Sequence, residues 1–191
     1  MLTTLLLLLP SFVLTASLMA WFFIVKFFLN DLPNRLLDKR IQVRIFRNGE
    51  QDRSDPELLQ WVRALNSSEF ERYVAYLFER NGYKTTVVGK SHDQGIDVIA
   101  TKAGTIYYIQ CKRLTDWKVR VEQVRDFYGA ITDHLNGGKG YYVTTSSYTQ
   151  EAKDFAKGKP LELLDDEDLI SMIRSTKGRE NYINPVIKLD N

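Results

Sequence analysis

The chain has 191 residues, with Lys+Arg 26 against Asp+Glu 24, a formal net charge of +2, and 44% hydrophobic and 26% charged residues. That length and balance suit one globular domain with appendages and exclude a disordered or collagen-like chain. A single cysteine and two histidines exclude an internal disulfide, a Cys-based zinc cage and a His-rich metal site, so any chemistry must come from carboxylates, amides, lysines and hydroxyls.

Charge is unevenly spread, because no charged side chain precedes Lys26. Met1 to Val25 is an apolar run long enough to cross a hydrocarbon core of about 30 Å. Pro10 is tolerated inside such a helix, and Trp21, Phe22 and Phe23 sit where aromatic rings favour the membrane interface. A cleaved signal peptide fits less well: no basic stretch opens the chain, and Thr15-Ala16-Ser17 is not an A-x-A site. Leu2 also excludes myristoylation. Residues 1–29 are therefore expected to form a single-pass anchor in a lipid bilayer. Lys26, Arg35, Lys39, Arg40, Arg44 and Arg47 outnumber Asp31 and Asp38 after the span. The positive-inside rule then puts the rest of the chain on the cytoplasmic side of the inner (cytoplasmic) membrane. Residues 30–54 read as a basic juxtamembrane linker. Within it, 32–47 is either an amphipathic helix on an anionic leaflet or a connector with a short strand at Gln42-Val43-Arg44-Ile45. Polar residues 48–55, with Gly49, complete the linker.

Asp55-Pro56 then gives an N-cap and a proline at the first helical position. It opens a helix with Leu58, Trp61, Val62 and Leu65 on one face. Phe70, Tyr73, Val74, Leu77 and Phe78 form the core stripe of a second helix, stopped at Gly82. Beyond Gly82 the period falls to two, predicting strands over 85–88, 96–101 and 106–112, with a polar loop at 89–95 and a turn at Ala103-Gly104. A helix follows over 121–135, broken by Asn136-Gly137-Gly138. A strand (141–145), a helix (149–156), a strand (161–164) and a helix with an acidic start (165–173) complete the pattern. This is an α/β domain over 55–173, a mixed β-sheet flanked by helices. Residues 174–191 form a C-terminal tail.

The hairpin carries the chemistry. A two-residue turn at Ala103-Gly104 sets Asp97 opposite Gln110. Asp97, Gln110 and Lys112 then share one face of the sheet, while Ile96, Val98, Ile109 and Cys111 pack on the other. A carboxylate, an amide and an ammonium on one sheet face break the expected apolar pattern, as functional sites do. The trio suits metal-assisted phosphodiester hydrolysis. Asp97, the Gln110 side-chain oxygen and the backbone carbonyl of Cys111 are hard oxygen donors for a divalent ion. Lys112 could orient water or neutralise charge on the phosphate. Lys112, Arg113, Lys118, Arg120 and Arg125, with Trp117 among them, suit a surface that tracks phosphates. The bland alternative is an ordinary solvated face, diluted by Asp116 and Glu122.

These residues resemble the Mrr-like type IV restriction endonucleases of the PD-(D/E)xK nuclease superfamily. The resemblance runs from about Ser68 to Leu169. It rests on Glu69-Phe70-Glu71, Asn81-Gly82-Tyr83, Asp93-Gln94-Gly95-Ile96-Asp97-Val98, Gln110-Cys111-Lys112, Tyr142-Val143-Thr144-Thr145 and Glu151-Ala152. It implies a restriction-endonuclease-like fold, preceded here by one transmembrane helix, with Asp97, Gln110 and Lys112 in the active site. It also implies Mg²⁺ as cofactor, with Mn²⁺ as a substitute, and Glu71 as a helix-borne carboxylate assisting the metal. Glutamine stands where most of the superfamily has an acid, as in the family's Q-x-K variant, and one negative charge fewer means weaker metal binding. Well-known members carry a separate DNA-recognition domain, and at that position this sequence is expected to hold the membrane span and a short helix.

Bland roles stand beside several of these. Ser68-x-x-Glu71 reads as a capping box. Asp93 suits a turn, or a helper outside the metal's own ligands, and His92 a loop near phosphate. His134 lies at a helix end, and the Cys111 side chain reads as a small buried apolar group. The expected function is a membrane-anchored, Mg²⁺-dependent endonuclease acting on DNA, in restriction or defence against foreign DNA. Arg113, Lys118 and Arg120 would contact the DNA, and a homodimer is left open. The alternative is a catalytically silent, membrane-tethered nucleic-acid-binding or adaptor protein with the same fold.

Overall fold

The computed structural model describes residues 39, 41–88 and 95–176. The expected membrane span, the loop residues His92 and Asp93 and the tail beyond Thr176 lie outside them. Among the described residues no helix is long and apolar enough to cross a membrane. The chain divides into two compact units, Met1–Asn48 and Gly49–Asn191. In the first, Gln42-Val43-Arg44-Ile45 is helical, which removes the strand alternative for this stretch. Ile41 and Ile45, one helical turn apart, are both exposed.

The second unit opens with α1 (Asp55–Ala64). Its cap is Ser54, one residue ahead of the expected Asp55, and the Ser54 backbone N–H and hydroxyl both donate to the Glu57 carboxylate, at 2.8 and 2.7 Å. Helix α2 (Ser67–Arg80) is capped by Asn66. Asn66 Oδ1 accepts from the Glu69 N–H at 2.9 Å, and the Glu69 carboxylate accepts from the Asn66 N–H at 2.8 Å. The capping box expected at Ser68 and Glu71 is thus formed two residues earlier. The earlier start gives the N–H of buried Phe70 an intrahelical partner, the Asn66 carbonyl at 2.9 Å, where a later start would leave a buried donor unpaired.

The remaining elements follow the predicted order: β1 (Lys84–Val87), β2 (Val98–Lys102), β3 (Thr105–Lys112), α3 (Val121–Thr132), β4 (Gly140–Thr144), α4 (Gln150–Ala156), β5 (Leu161–Leu164) and α5 (Asp166–Thr176). Helix α3 stops at Thr132, short of the expected residue 135, although Leu135 still packs in the core. The five strands form one sheet in the order β1-β2-β3-β4-β5. Strands β1 to β3 pair antiparallel, and β3 to β5 pair parallel. Ala103 and Gly104 have φ of 50° and 81°, the two positive values that a two-residue turn of this hand requires. The resulting register pairs Lys102 with Thr105 and Val98 with Ile109. The register slips by one residue beyond Val98, where the Asp97 N–H donates to the Ile109 carbonyl at 2.9 Å. The turn arithmetic therefore fails for the backbone of Asp97, although its side chain still meets that of Gln110.

The two faces are distinguished by neighbouring tyrosines of β4. The Tyr141 ring meets Phe78 of α2 at 5.1 Å, and the Tyr142 ring meets Phe127 of α3 at 5.6 Å. Since Ile109 pairs with Tyr141 and Gln110 with Tyr142, alternation puts Val98, Ile109 and Cys111 on the α2 side and Gln110 and Lys112 on the α3 side. Ile96 departs from expectation. It packs against the cluster around Tyr142, Val124 and Phe127, because strict alternation applies only from Val98, where β2 pairing begins.

The polar stretch 48–55 contributes more than a connection. Glu50 is buried and accepts from Arg80 Nη1 at 2.6 Å and from the Tyr73 hydroxyl at 2.9 Å. Burial and the Glu50 charge push the Tyr73 hydroxyl well above its ordinary pKa, which keeps its proton in place to donate. A Cβ at Gly49 would run into the Trp61 ring, so glycine is required for this approach. Removing one partner of a buried ion pair costs about 3–5 kcal/mol. Glu50→Ala is therefore expected to lower the urea-unfolding free energy by about that amount, whereas a loss under about 1 kcal/mol, typical of a solvated pair, would contradict the buried role.

Candidate active site

The hairpin brings its chemistry to the end remote from the turn. Asp97 lies just ahead of β2, and Gln110, Cys111 and Lys112 are the last residues of β3. Asp97 Oδ2 accepts from the Gln110 side-chain Nε2 at 2.6 Å and from the Cys111 backbone N–H at 2.6 Å. The same Nε2 reaches the Cys111 carbonyl at 3.4 Å. One donor nitrogen thus sits between two oxygens, and bonds of this kind to a carboxylate are the stronger class. Asp97, Gln110 and Lys112 are partly exposed, so solvent and ligands can reach them, whereas at Cys111 the exposed part is not the thiol, which is buried.

Gly95 completes this arrangement. Its φ is +89°, and a Cβ built on it would stand 2.8 Å from Gln110 Oε1. Any side chain here would press on the amide and strain the backbone. The glycine was visible in the sequence, but nothing local indicated which side chain it makes room for.

Two threonines hold the exit of β3. Thr144 Oγ1 donates to the Lys112 carbonyl at 2.7 Å. Thr145 Oγ1 donates to the Leu114 carbonyl at 2.7 Å and accepts from the Leu114 N–H at 2.9 Å. The Thr144-Thr145 pair therefore fixes the backbone that carries Lys112. The role of the pair is not local to the sequence, because the bonds join residues more than thirty positions apart.

Glu71 approaches from α2. Burial, then the charges of Asp97 and of Glu71, push the Cys111 thiol well above its ordinary range. Both carboxylates therefore act on one residue, Asp97 from the strand and Glu71 from the helix. Tyr142, beside Gln110 in the sheet, is also pushed up, first by burial and then by Asp97, Cys111 and Asp126. Among the described residues no group of three or more His, Cys, Asp or Glu side chains is placed to hold a metal ion. The donors brought together are one strand carboxylate, one amide and one backbone carbonyl. All are hard oxygens of low total charge, which suit Mg²⁺ or Mn²⁺ better than zinc.

The basic residues separate in space and in engagement. Arg113 Nη1 donates to the Arg63 carbonyl at 3.0 Å, at the C-terminal end of α1. Arg125 lies over the Phe155 ring at 5.5 Å. Lys118 and Arg120 are exposed at the entry to α3, with Arg120 a loose 3.9 Å from Glu122. His134 lies beyond the end of α3, where its carbonyl accepts from the Tyr108 hydroxyl at 3.3 Å.

Residues 62–173 match the family model Mrr_cat, described as restriction endonuclease. The type IV methyl-directed restriction enzyme EcoKMrr of Escherichia coli (strain K12) is 33% identical over 144 residues, which cover 70% of this chain and 47% of that protein. The chain thus spans about half the length of this curated relative. The solved structure of the DNA modification-dependent restriction endonuclease AspBHI is similar with a TM-score of 0.55 and 20% identity, over 65% of this chain and 36% of that one. That likeness is one of fold: a restriction-endonuclease-like mixed sheet flanked by helices.

Cys111 is the single cysteine and so reports on this environment. Its thiol is expected to resist iodoacetamide at mildly alkaline pH in the folded chain and to react freely in denaturant. A nearby negative charge disfavours the thiolate, so Glu71→Gln should move the reactivity profile to lower pH. An unchanged profile would remove Glu71 from the neighbourhood of the site.

Proposed function

Because the chain belongs to the restriction-endonuclease family whose model spans residues 62–173, we propose that it is a DNA endonuclease dependent on a divalent cation and held to a membrane by residues 1–29. The observation that carries this reading is the meeting of the Asp97 carboxylate, the Gln110 amide and the Cys111 carbonyl within 3.4 Å of one nitrogen, on the sheet face that also bears Lys112.

The donor set fits a hard cation. A partly positive NH₂ group already occupies the position between Asp97 Oδ2 and the Cys111 carbonyl. With the amide turned over, Gln110 Oε1 takes the place of that nitrogen beside the two oxygens, and Glu71 adds a second carboxylate. When bound, Mg²⁺ or Mn²⁺ supplies positive charge at the phosphate and lowers the pKa of water. Lys112 sets an ammonium on the same face, where it orients the attacking water and offsets charge developing on the phosphate oxygens. Gly95 leaves space for the Gln110 amide, and Thr144 fixes the backbone of Lys112. Arg113, Lys118 and Arg120 follow the DNA backbone on either side of the cut.

The uncharged run Met1–Val25 and the bases after it support a single span with the nuclease domain in the cytoplasm. An enzyme tethered there meets DNA as it enters, which suits restriction of foreign DNA. A homodimer would supply a second site for the opposite strand. One observation favours the alternative, a catalytically silent, membrane-tethered nucleic-acid-binding or adaptor protein: Gln110 turns its NH₂ group, a donor and not a metal ligand, toward Asp97 Oδ2 at 2.6 Å.

The test uses the full-length chain in detergent micelles with supercoiled plasmid and Mg²⁺, Mn²⁺ or EDTA. Nicking is expected with either metal and not with EDTA. Asp97→Ala and Lys112→Ala should each lower the rate by about a hundredfold or more. Cleavage that persists in both variants would overturn the site, and DNA binding without cleavage in every metal would favour the adaptor. The same protein should leave the membrane fraction only with detergent.

A further inference from the structure

Trp117 is 77% exposed, more than any other large apolar side chain among the described residues. A large aromatic surface left in water is an informative exception in a folded domain. The loop that carries it is pinned at both ends. On one side, Leu114 is bonded through its N–H and its carbonyl to Thr145 Oγ1. On the other, the Val119 N–H donates to the Ser147 carbonyl at 2.9 Å, the Val119 carbonyl accepts from the Thr149 N–H at 3.0 Å, and the Val119 side chain is fully buried. Residues 115–118 project between these anchors, so the indole is presented from a fixed base.

Its surroundings indicate what it meets. Lys112, at the end of β3, is five residues away and so no more than about 18 Å distant between Cα atoms. Arg113, Lys118 and Arg120 flank the loop, with Asp116 the single acid within it. A planar apolar face framed by cations and next to a phosphate-directed site suits a nucleobase whose own face is uncovered. Such stacking is worth about five- to a hundredfold in affinity per base and is tolerant of sequence. In intact duplex every base face is already covered.

We propose that Trp117 stacks on an unpaired base beside the cut phosphate, so that the domain engages locally unpaired DNA in preference to fully paired duplex. This rests on the DNA-endonuclease reading and names the substrate form it favours. Trp117 is a specificity determinant and takes no part in bond breaking.

The test measures binding of the full-length chain, in EDTA to prevent cleavage, to labelled oligonucleotides of equal length: a paired duplex, the same duplex with a central unpaired bubble, and a single strand. Bubble and single strand are expected to bind about five- to a hundredfold more tightly than duplex. Trp117→Ala should lose most of that margin and Trp117→Phe should keep part of it. Bubble DNA should also quench tryptophan emission more in the native chain than in Trp117→Phe. Equal affinity for all three forms, or a Trp117→Ala loss as large on duplex as on bubble, overturns the proposal. Duplex bound as tightly as bubble and single strand overturns the role of Trp117 alone, whereas no binding to any DNA overturns it together with the nuclease reading. Phosphatidylserine vesicles provide the last arm: if Trp117→Ala weakens vesicle binding and leaves bubble binding intact, the indole meets a membrane, and the proposal fails.

Discussion

Asp97 accepts two hydrogen bonds of 2.6 Å, one from the Gln110 amide and one from the Cys111 backbone N–H, and the local geometry of the candidate site follows from them. Regular pairing of β2 with β3 stops at Val98, where the Asp97 N–H bonds the Ile109 carbonyl out of register at 2.9 Å, and the Cys111 N–H bonds the Asp97 side chain instead of a backbone carbonyl. The Asp97 side chain takes over the role of that carbonyl, as a buried or half-buried backbone donor requires. Bonds to a charged acceptor contribute about 1.5–3 kcal/mol each, enough to hold Gln110 in one orientation. Its Nε2 then faces Asp97 and its Oε1 faces Gly95, where only glycine leaves room.

The rest of the fold holds that point from two sides. On the α2 face the sheet is sealed by apolar groups such as Val98, Ile109 and Val143, all fully buried, and Glu71 reaches toward Cys111 from the helix. On the α3 face the cluster around Tyr142 and Phe127 stops short of Asp97, Gln110 and Lys112, which stay partly open. Thr144 and Thr145 bond backward from β4 to the residues that follow Gln110. The parallel β3–β4 pairing thus does more than extend the sheet, since it also fixes the base of Lys112 and of the loop bearing Trp117. The buried Glu50–Arg80 pair gives the start of this unit a comparable fixed point on α2.

Much of this was legible in the sequence because the hairpin obeys a local rule. Ala103-Gly104 dictates a two-residue turn and the turn dictates the register as far as Val98–Ile109, close enough for the Asp97 and Gln110 side chains to meet, although a one-residue slip at Asp97 was not readable. The helical stripe of Phe70, Tyr73, Leu77 and Phe78 was equally readable from spacing. The cap of α2 was misplaced because Asn66-x-x-Glu69 and Ser68-x-x-Glu71 are overlapping candidates, and only the burial of Phe70 decides between them. Arg113 illustrates a different limit. Its bond to the Arg63 carbonyl crosses fifty residues of chain, and no local pattern announces it. The same holds for the Thr145–Leu114 clamp, for the burial of Glu50 within a stretch of linker-like composition, and for the contact between Gly95 and the Gln110 amide.

The central claim is that Asp97, helped by a neutral Gln110, forms a site for a hard divalent cation. Calorimetric titration of Mn²⁺ into the full-length chain tests it without reference to any substrate. Binding is expected in the native chain, abolished in Asp97→Ala, and severalfold tighter in Gln110→Glu, since a second strand carboxylate adds attraction for the ion. Mn²⁺ binding equal in all three proteins would contradict the account.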